Sequence, residues 1–336
     1  MSNKSLNTAI KAKNDEFYTQ LSDIENEMRH YKPLFRGKAV YCNCDDPRVS
    51  KFFHYFSYNF EHLGLKKLIT TCYKSQNPDM FSQHDSERAI MLEYDGFRDG
   101  DRIPRPEDIG IKLLEEDGDF RNPECIELLK QVDIVVTNPP FSLFREYVAQ
   151  LMQHEKQFII IGNKNAITYK EIFPLIRDNK LWLGINPMGR DMLFDIPADC
   201  VEELLATKKE GSAYRVVDGV IKRRLGNAAW YTNLPHKRRN EEMILFRKYS
   251  PENYPTYDNY DAIEVSKISD IPEDYAGVMG VPITFLDKYN PDQFEILGSN
   301  CSIEHTHPDI EGRGPSLLNG KSIFKRIFIR NKALNS

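Results

Sequence analysis

Short apolar runs alternate with amphipathic segments of helical spacing over the first half of the chain. The runs are rich in β-branched and aromatic residues and include residues 38–44, 65–73, 133–138 and 157–163. Between several of them, apolar residues recur at three- and four-residue spacing, which predicts helices packed by one face. Continuous apolar strands that alternate with helices indicate an α/β fold whose mostly parallel sheet is covered on both faces.

The pattern changes near residue 185, where the alternation of strands and helices stops. Residues 185–226 are punctuated by glycines and charges and predict short strands outside the alternating core. Residues 227–234 and 241–249 return to β character and predict a terminal hairpin of the sheet. The tail 321–332 predicts a half-buried strand with one cationic face. We therefore expect a main domain over residues 1–250 and a C-terminal module over residues 251–336 that is rich in loops.

One buried strand runs directly into the stretch Asn138-Pro139-Pro140-Phe141. Ligands of open α/β sheets bind beyond the carboxyl ends of the strands, and this stretch stands at such an end. The prolines lack N–H groups and fix φ, so the corner is stiff and its carbonyl oxygens are bare acceptors. Asn138 and the Pro139 carbonyl could each accept one hydrogen of an exocyclic amino group, while Phe141 stacks on the ring. A plain strand-to-helix turn with Phe141 in the core is the alternative.

Composition narrows the class of protein without assigning a partner. The 336 residues carry a net charge of −5, which neither requires nor excludes a local basic surface for nucleic acid. No apolar signal segment or membrane-spanning run is visible, so we expect a cytoplasmic protein with no membrane partner. Cys42 and Cys44 form a Cys-x-Cys pair, but no further ligand pattern accompanies them, and we expect no bound metal.

The ordered motifs of the chain resemble the EcoRI-type adenine-specific DNA methyltransferases over residues 11–330. The motifs are KNDEFYTQ, YCNCDDPR, GDF, DIVVTNPPFSLFREY, WYTNL and GVMGVPITFL. The resemblance implies a Rossmann-like methyltransferase fold, with S-adenosylmethionine as cofactor and S-adenosylhomocysteine as product. It implies methylation of adenine N6 in double-stranded DNA after base flipping. It also suggests a restriction–modification system, in which a cognate endonuclease acts on the same site.

The resemblance assigns roles to individual residues. The catalytic residues that it implies are Asn138, Pro139, Pro140 and Phe141. The cofactor-binding residues that it implies are Phe17, Tyr18, Thr19, Asn43, Cys44, Asp45, Asp46, Asp119, Phe120 and Asn138. In the N-terminal segment Asp15 and Glu16 match as well, and Asp119 with Phe120 matches the pair that holds the adenine of the cofactor.

The chain departs from the usual methyltransferase pattern at the cofactor loop, because the glycine-rich FxGxG sequence is absent. Residues 42–48, CNCDDPR, stand in its place between a strand and a helix. We predict Asp46 as the N-cap and Pro47 as the first residue of that helix, with Asp45 paired to the ammonium group of the cofactor. Helix capping alone is the alternative role for the two aspartates, and the acidic residue that binds the ribose stays open.

Two basic clusters are candidate DNA contacts. They contain Lys222, Arg223, Arg224, Lys237, Arg238 and Arg239. Such clusters are more often solvated surface, but the resemblance favours contacts to phosphates, which give affinity and register. We expect target recognition by the insert at 185–226 and by the module at 251–336, although the sequence does not identify the residues that read bases.

Two other functions stay open on the residues alone. The Asn-Pro-Pro-Phe chemistry also serves methyltransferases that act on RNA guanine N2 or on protein glutamine, because these use nearly the same tetrapeptide. A non-catalytic DNA-binding protein that kept the fold is the other alternative. Tight DNA binding without methylation would favour it.

Overall fold

The computed structural model describes residues 18–48, 50–73, 89–96, 106–188, 192–196, 201, 204–206, 208–300, 310, 312 and 314–334. The predictions for Asp15, Glu16 and Phe17 lie outside these residues. The chain divides into two compact units, residues 1–163 with 190–234, and residues 164–189 with 235–336. This boundary differs from the predicted one at residue 250, and the functions assigned to the two parts stay predictions.

The secondary structure of the described residues is mixed. The strands are β1 (Tyr18–Thr19), β2 (Ala39–Cys42), β3 (Lys67–Thr71), β4 (Ile90–Tyr94), β5 (Lys112–Leu113), β6 (Ile134–Thr137), β7 (Gln157–Asn163), β8 (Trp182–Leu183), β9 (Met192–Asp195), β10 (Tyr214–Val217), β11 (Val220–Leu225), β12 (Ala228–Thr232), β13 (Ile263–Glu264), β14 (Met279–Pro282), β15 (Phe294–Ser299), β16 (Leu317–Leu318), β17 (Lys321–Ser322) and β18 (Arg326–Asn331). The α-helices are α1 (Leu21–Met28), α2 (Lys51–Tyr58), α3 (Phe60–Leu63), α4 (Pro106–Ile109), α5 (Pro123–Lys130), α6 (Phe144–Gln153) and α7 (Phe173–Arg177). Short 3₁₀ helices are Lys32–Phe35, Phe141–Leu143, Lys164–Thr168, Lys237–Asn240, Ile268–Asp270, Ile283–Lys288 and Lys332–Leu334.

The first unit is built on a large sheet whose strands lie in the order β5-β4-β3-β2-β6-β7-β12. The four central strands β3, β2, β6 and β7 are parallel, whereas β4, β5 and β12 are antiparallel to their neighbours. Every residue of β2 and β6 is buried, as expected for parallel strands covered on both faces. The predicted mixed α/β architecture with a mostly parallel central sheet is confirmed.

A smaller antiparallel sheet of the first unit has the order β1-β9-β11-β10. Met192 and Phe194 of β9 are buried in the same hydrophobic cluster as Phe52 and Trp230, whose rings meet edge to face at a centroid distance of 6.2 Å. The strand character predicted within residues 185–226 is confirmed by β9, β10 and β11. The recognition role of this segment stays a prediction.

The predicted start of the helix after β2 is wrong. Helix α2 begins at Lys51 and is capped by Ser50, whose hydroxyl accepts a hydrogen bond from the Phe53 N–H at 3.4 Å. Asp46 is therefore not the N-cap, and Pro47 is not the first helical residue. The Asp-Pro pair is a common helix start, but here the turn before the helix continues to residue 50.

The predicted hairpin of residues 227–234 and 241–249 is also wrong in its second half. Strand β12 exists and pairs antiparallel with β7, but residues 241–248 form no strand. Ile244 is 86% exposed and Phe246 is 63% exposed. Apolar and polar residues alternate here as they do in a half-buried strand, but no sheet face covers Ile244 or Phe246.

The second unit contains a sheet in the order β13-β14-β18-β15. The predicted tail strand is confirmed as β18, but its cationic face is wrong because the strand is buried on both sides. Ile327, Phe328 and Ile329 are each 0% exposed. Arg326 is buried by an ion pair with Glu264, with an N–O distance of 2.6 Å.

Neither a membrane-spanning helix nor a group of metal ligands is present among the described residues. None of their helices is both long and apolar enough to cross a membrane. No group of three or more His, Cys, Asp and Glu side chains among them is arranged to hold a metal ion.

Candidate active site at the carboxyl edge of the sheet

The predicted catalytic and cofactor loops meet at the point where the strand order of the large sheet reverses. Strands β2 and β6 are parallel neighbours, with Val40 opposite Ile134 and Tyr41 opposite Val135. The chain passes from β2 to β3 on one side, and from β6 to β7 on the other. The loops that leave β2 and β6 at their carboxyl ends are therefore adjacent, at the position where open α/β sheets bind ligands.

Asn43, the first residue after β2, ties these two loops together. Its backbone carbonyl accepts a hydrogen bond from the Thr137 hydroxyl. Its side-chain Oδ1 accepts a hydrogen bond from the Tyr147 hydroxyl at 2.5 Å. Asn43 is only 5% exposed, so its role in the structure is to fix the spacing between the loops, and any contact with a cofactor would use its remaining surface.

The Asn138-Pro139-Pro140-Phe141 corner directly follows β6, which is its predicted position. Asn138 is 6% exposed, and Pro139 is buried. Pro140 is extended, with φ −54° and ψ 127°, and Phe141 begins a short 3₁₀ helix that leads into α6. The Phe141 ring is half-buried against the core cluster that contains Phe52 and Phe194. An edge of the ring therefore remains accessible, unlike in the alternative that places it wholly in the core.

The two aspartates after β2 have different partners. Asp46 is 5% exposed and receives hydrogen bonds from the backbone N–H and the guanidinium of Arg48. Asp45 is half-buried, and its Oδ2 accepts a hydrogen bond from the Ser50 hydroxyl at 3.4 Å. Burial raises the pKa of Asp45 to about 7, the Ser50 hydrogen bond opposes this shift, and the charge of Asp46 adds to it. Asp45 thus stays available to pair with a cation, whereas Asp46 already has one.

Cys44 takes over the backbone role of a glycine in the cofactor loop. Its φ is +86°, which lies in the left-handed region where residues other than glycine are strained. The loop therefore adopts a tight turn after β2 although the FxGxG sequence is missing. Glycine-rich loops use this conformation to bring the backbone close to a ligand.

The Gly118-Asp119-Phe120 loop lies against the end of β3. Gly118 has φ +77°, and a Cβ atom there would lie 2.1 Å from the Cys72 carbonyl oxygen. The Phe120 ring is 7% exposed and meets the Tyr147 ring edge to face at 4.9 Å. The loop is thus held beside the carboxyl edge, on the same side as Asn43.

Asp119 is ionised and partly engaged. Its Oδ1 accepts hydrogen bonds from the backbone N–H and the Nε of Arg121, both at 2.9 Å, and its Oδ2 accepts one from Arg121 Nη2 at 2.6 Å. Burial alone would raise the pKa of Asp119, but the hydrogen bonds and charge of Arg121 outweigh it and lower the pKa. Oδ2 keeps room for one more donor, such as an amino group.

Two buried hydroxyls lack partners among the residues that the structure describes. Thr19 in β1 is 2% exposed and Thr70 near the end of β3 is 1% exposed. Neither Oγ1 atom makes a hydrogen bond there. Because buried polar groups are nearly always satisfied, both hydroxyls are candidates for contact with a bound polar group. Tyr18 pairs with Asp195, and Thr19 with Phe194, so the N-terminal segment joins the smaller sheet.

The predicted DNA-binding residues occupy different settings. In the first unit Lys222 donates to Gln20 Oε1 at 2.6 Å, and Arg224 donates to the Gly211 carbonyl at 2.5 Å. Arg223 is half-buried in β11. In the second unit Arg238 donates to the Ile185 carbonyl at 2.5 Å, and Lys237 is exposed.

Arg239 is embedded in the second unit. Its guanidinium lies 3.9 Å from the centroid of the Trp182 ring and donates to Asn179 Oδ1 at 2.7 Å. Burial lowers its pKa to about 10. Its side chain therefore stabilises this unit, and DNA binding by the basic clusters stays a prediction.

Sequence reasoning missed Tyr147, Arg121 and Thr70. The spacing of Tyr147 predicts only a place on the apolar face of a helix, where its ring does pack, but its hydroxyl also donates to Asn43. Arg121 directly follows the GDF motif, and a cation two residues from an aspartate is a signal that could have been used. Thr70 gives no such signal, because its position depends on the pairing of β2 with β3.

We expect Gly118→Ala to lower the free energy of unfolding by about 2 to 3 kcal/mol. The left-handed backbone costs about 1 to 2 kcal/mol for alanine, and the clash with Cys72 adds overpacking. Chemical denaturation measures the change. Gly110→Ala is the matched control, since Gly110 also has positive φ but a Cβ atom there meets no atom within 4 Å. Equal losses in both variants would mean that the close contact with Cys72 is unimportant.

Comparisons with known proteins agree with these motifs. A family model described as "Adenine-specific methyltransferase EcoRI" matches residues 5–332. The chain is 47% identical to the Type II methyltransferase M.EcoRI of Escherichia coli, over 99% of this chain and 98% of the relative. It is 37% identical to the Type II methyltransferase M.MgeORF184P of Mycoplasma genitalium, over 98% of this chain and 99% of the relative. It is 35% identical to the Type II methyltransferase M.MpnI of Mycoplasma pneumoniae, over 97% and 98%. No solved structure gives a significant match.

Proposed function

Since the chain belongs to the EcoRI family of adenine-specific methyltransferases, we propose that its carboxyl-edge site methylates the N6 amino group of adenine in duplex DNA. The protein is a DNA methyltransferase of the restriction–modification type, as its relatives are named. The observation that carries the site assignment is the Asn138-Pro139-Pro140-Phe141 corner, fixed next to the loop after β2 by Asn43.

The corner supplies two acceptors and an aromatic surface. Asn138 Oδ1 and the Pro139 carbonyl each accept one N6 hydrogen of the adenine. Holding both hydrogens this way draws the nitrogen lone pair out of conjugation with the ring and aims it at the methyl donor. Phe141 stacks on the base. One N6 hydrogen leaves to water as a proton after the new N–C bond forms.

The target adenine can reach this corner only after it has been flipped out of the double helix. Flipping it out costs a few kcal/mol, and stacking on Phe141 returns about 1 to 3 kcal/mol. Contacts with the DNA backbone must therefore supply the rest of the binding free energy. The exposed and half-buried basic residues of both units are the candidates for these contacts.

The donor that fits the site is S-adenosylmethionine, which when bound supplies a sulfonium methyl group and is converted to S-adenosylhomocysteine. Asp45 would pair with its ammonium group, and the Asp119 Oδ2 would accept a hydrogen bond from its adenine amino group. Phe120 would pack against that adenine. Phe17, Tyr18 and Thr19 would close over the methionine end, with the Thr19 hydroxyl finding the partner that it otherwise lacks.

We expect the affinity for S-adenosylhomocysteine to rise with pH up to about 7 and then to level off. Asp45 has a pKa of about 7, so it is mostly neutral below that pH, and a bound ammonium group favours the charged form. The gain is at most about tenfold per pH unit. Isothermal titration calorimetry across this range measures it. Asp45→Asn should flatten the profile, and an unchanged profile in that variant would exclude the pairing.

Substrate choice tests the proposed function directly. The purified enzyme is incubated with labelled S-adenosylmethionine and, separately, with duplex DNA, ribosomal RNA or a protein mixture. We expect label only in DNA, as N6-methyladenine. The RNA, protein and non-catalytic alternatives are not favoured by the relatives, and label in RNA or protein alone would overturn the proposal. A cognate endonuclease that cuts the same DNA site unless it is methylated is the partner that we propose.

A further inference from the structure

Helix α6 leaves the corner at Asn138 and contacts both loops that are proposed to hold the cofactor. The Leu143 N–H donates to the Pro140 carbonyl at 3.0 Å, which closes the short turn between the corner and the helix. Residues three or four positions apart lie on one side of a helix. Three side chains of α6 share such a side, and each contacts a loop: Glu146, Tyr147 and Gln150.

Tyr147 connects α6 to the loop after β2. Its side chain is 1% exposed, and its hydroxyl donates to Asn43 Oδ1 at 2.5 Å. The carbonyl of Asn43 accepts a hydrogen bond from the Thr137 hydroxyl, and Thr137 directly precedes Asn138 in the chain. Asn43 is therefore held from two sides, by the strand that enters the corner and by the helix that leaves it.

Gln150 connects the same side of α6 to the loop at Asp119. Its Nε2 donates to the Phe120 carbonyl at 2.8 Å, and the side chain is half-buried. The Phe120 ring also meets the Tyr147 ring edge to face, at a centroid distance of 4.9 Å. The backbone and the ring of Phe120 are thus both positioned by α6.

Glu146 makes the third contact, but in a different environment. Its Oε2 accepts a hydrogen bond from Arg121 Nη1 at 3.0 Å, and the two side chains are 59% and 50% exposed. Ion pairs that are this exposed contribute little, and Arg121 is also held by Asp119. The contacts of Tyr147 and Gln150 are therefore the ones that fix the two loops to the helix.

We propose that Tyr147 and Gln150 are positioning residues for methyl transfer and that they act on different parts of it. The proposal rests on the proposed function and adds two residues to it. Tyr147 acts through Asn43, which connects the cofactor loop to the corner. It therefore sets the distance between the methyl donor and the amino group that is methylated, and small displacements of reacting groups are costly.

Gln150 acts on the binding of the cofactor. It holds the backbone of Phe120, whose ring is proposed to pack against the adenine of S-adenosylmethionine. The ribose separates that adenine from the sulfonium group. A shift of the Phe120 loop therefore weakens binding, while the methyl group of a bound cofactor keeps its position relative to the corner.

The test of Tyr147 removes only its hydroxyl. Tyr147→Phe retains the ring against Phe120, and Thr137 still holds the Asn43 carbonyl. Single-turnover transfer to unmethylated genomic DNA is measured with saturating S-adenosylmethionine. We expect the rate to fall about tenfold. The Kd for S-adenosylhomocysteine, measured by isothermal titration calorimetry, should rise by no more than about threefold.

Tyr231→Phe is the matched control for the loss of a buried hydroxyl. Tyr231 is 0% exposed, belongs to the same unit and donates to the Asn163 carbonyl at 2.8 Å. Both variants should have similarly lowered midpoints of urea unfolding. We expect Tyr231→Phe to transfer methyl groups at the wild-type rate. An equal loss of rate in both variants would show that the role of Tyr147 is only structural.

A double variant tests whether Tyr147 acts through Asn43. Asn43→Ala removes the acceptor of the same hydrogen bond. The variant that combines Asn43→Ala with Tyr147→Phe should therefore be no slower than the slower single variant. Losses of rate that multiply in the double variant would contradict this connection.

The test of Gln150 separates affinity from rate. Gln150→Leu keeps a side chain of similar size without the N–H donor, and we expect it to raise the Kd for S-adenosylhomocysteine about tenfold. Its single-turnover rate with saturating S-adenosylmethionine should stay within about twofold of the wild-type value. Gln150→Lys retains a donor and should bind within about threefold of the wild type. A wild-type Kd in Gln150→Leu would overturn its assignment.

Failure of this inference differs from failure of the proposed function. If the wild-type protein methylates DNA and Tyr147→Phe does so at the same rate, the role of Tyr147 is wrong. If the wild-type protein places no methyl group on DNA, the proposed function has failed. The affinities of the Gln150 variants for S-adenosylhomocysteine then still test the contact with the Phe120 loop.

Discussion

Replacing Asn138 by Ala is expected to lower kcat for DNA methylation by about a thousandfold. The side-chain oxygen of Asn138 is the acceptor that holds one N6 hydrogen during transfer, and removing one preorganised hydrogen-bonding group from an active site costs on the order of 10²–10³ in rate. Asn138 is nearly buried at the end of β6. Without Asn138, the Pro139 carbonyl still holds one N6 hydrogen, but the other hydrogen has lost its acceptor.

The measurement is transfer of labelled methyl groups to duplex DNA under single-turnover conditions. Binding of S-adenosylhomocysteine should change by no more than about threefold in Asn138→Ala, because the contacts of Asp45 and Asp119 are untouched. Asn138→Asp retains an acceptor oxygen and should keep more activity than the alanine variant. Turnover by Asn138→Ala close to that of the wild type would refute the catalytic role.

Replacing Glu264 by Ala is expected to lower the free energy of unfolding of the second unit by about 3 to 5 kcal/mol. Glu264 is 4% exposed and accepts hydrogen bonds from Arg326 Nε at 2.9 Å and Nη2 at 2.6 Å. The Tyr257 hydroxyl and the Ser266 hydroxyl also donate to it. Its loss leaves the buried guanidinium of Arg326 without a counter-charge, which is the costly way to break such a pair.

A double variant separates this cause from general damage to the core. Replacing Glu264 by Leu together with Arg326 by Met removes both charges and should destabilise the unit much less than Glu264→Ala does. Urea unfolding of the full chain, followed by the fluorescence of Trp182 and Trp230, measures both variants. Equal losses in the single and the double variant would show that the unpaired charge of Arg326 is not the cause of the destabilisation.

The position of the candidate site at the end of β6 could be predicted from the sequence because its signals are local. Continuous apolar runs identify the parallel strands, and the two prolines after Asn138 mark where one of them ends. The carboxyl ends of parallel strands lie at one edge of a sheet, so the loops at Asn43 and Asn138 are expected at the same edge. The observed pairing of β2 with β6 then makes them adjacent. The motifs that the chain shares with the family then indicate the reaction expected at this edge.

The contacts that complete the site could not be predicted, because they depend on pairing over long distances in the chain. The hydrogen bond between Tyr147 and Asn43 joins residues 104 positions apart. The pairing of Phe194 with Thr19 on one side and with Arg223 on the other depends on the register of β1, β9 and β11. A one-residue change in that register would turn Arg223 to the opposite face.

Local signals were misleading where another local interaction competed. Asp46 and Pro47 have the composition of a helix start, but the carboxylate of Asp46 binds Arg48 two residues later and extends the turn. The basic residues of the tail predict a solvent-exposed cationic face. In the structure, however, Arg326 forms an ion pair with Glu264 inside the second unit. A cation in a strand pattern therefore predicts a solvent-exposed face only when no buried carboxylate faces it.

The most direct test of the site is the methylation pattern that it leaves in living cells. DNA from cells that express the wild-type chain or the Asn138→Ala variant is sequenced by a method that detects modified adenines. We predict N6-methyladenine at one short recurring sequence with the wild-type chain and none above background with the variant. Unmodified adenines in the wild-type sample, or the same methylated sequence in the Asn138→Ala sample, would contradict the catalytic role of this site.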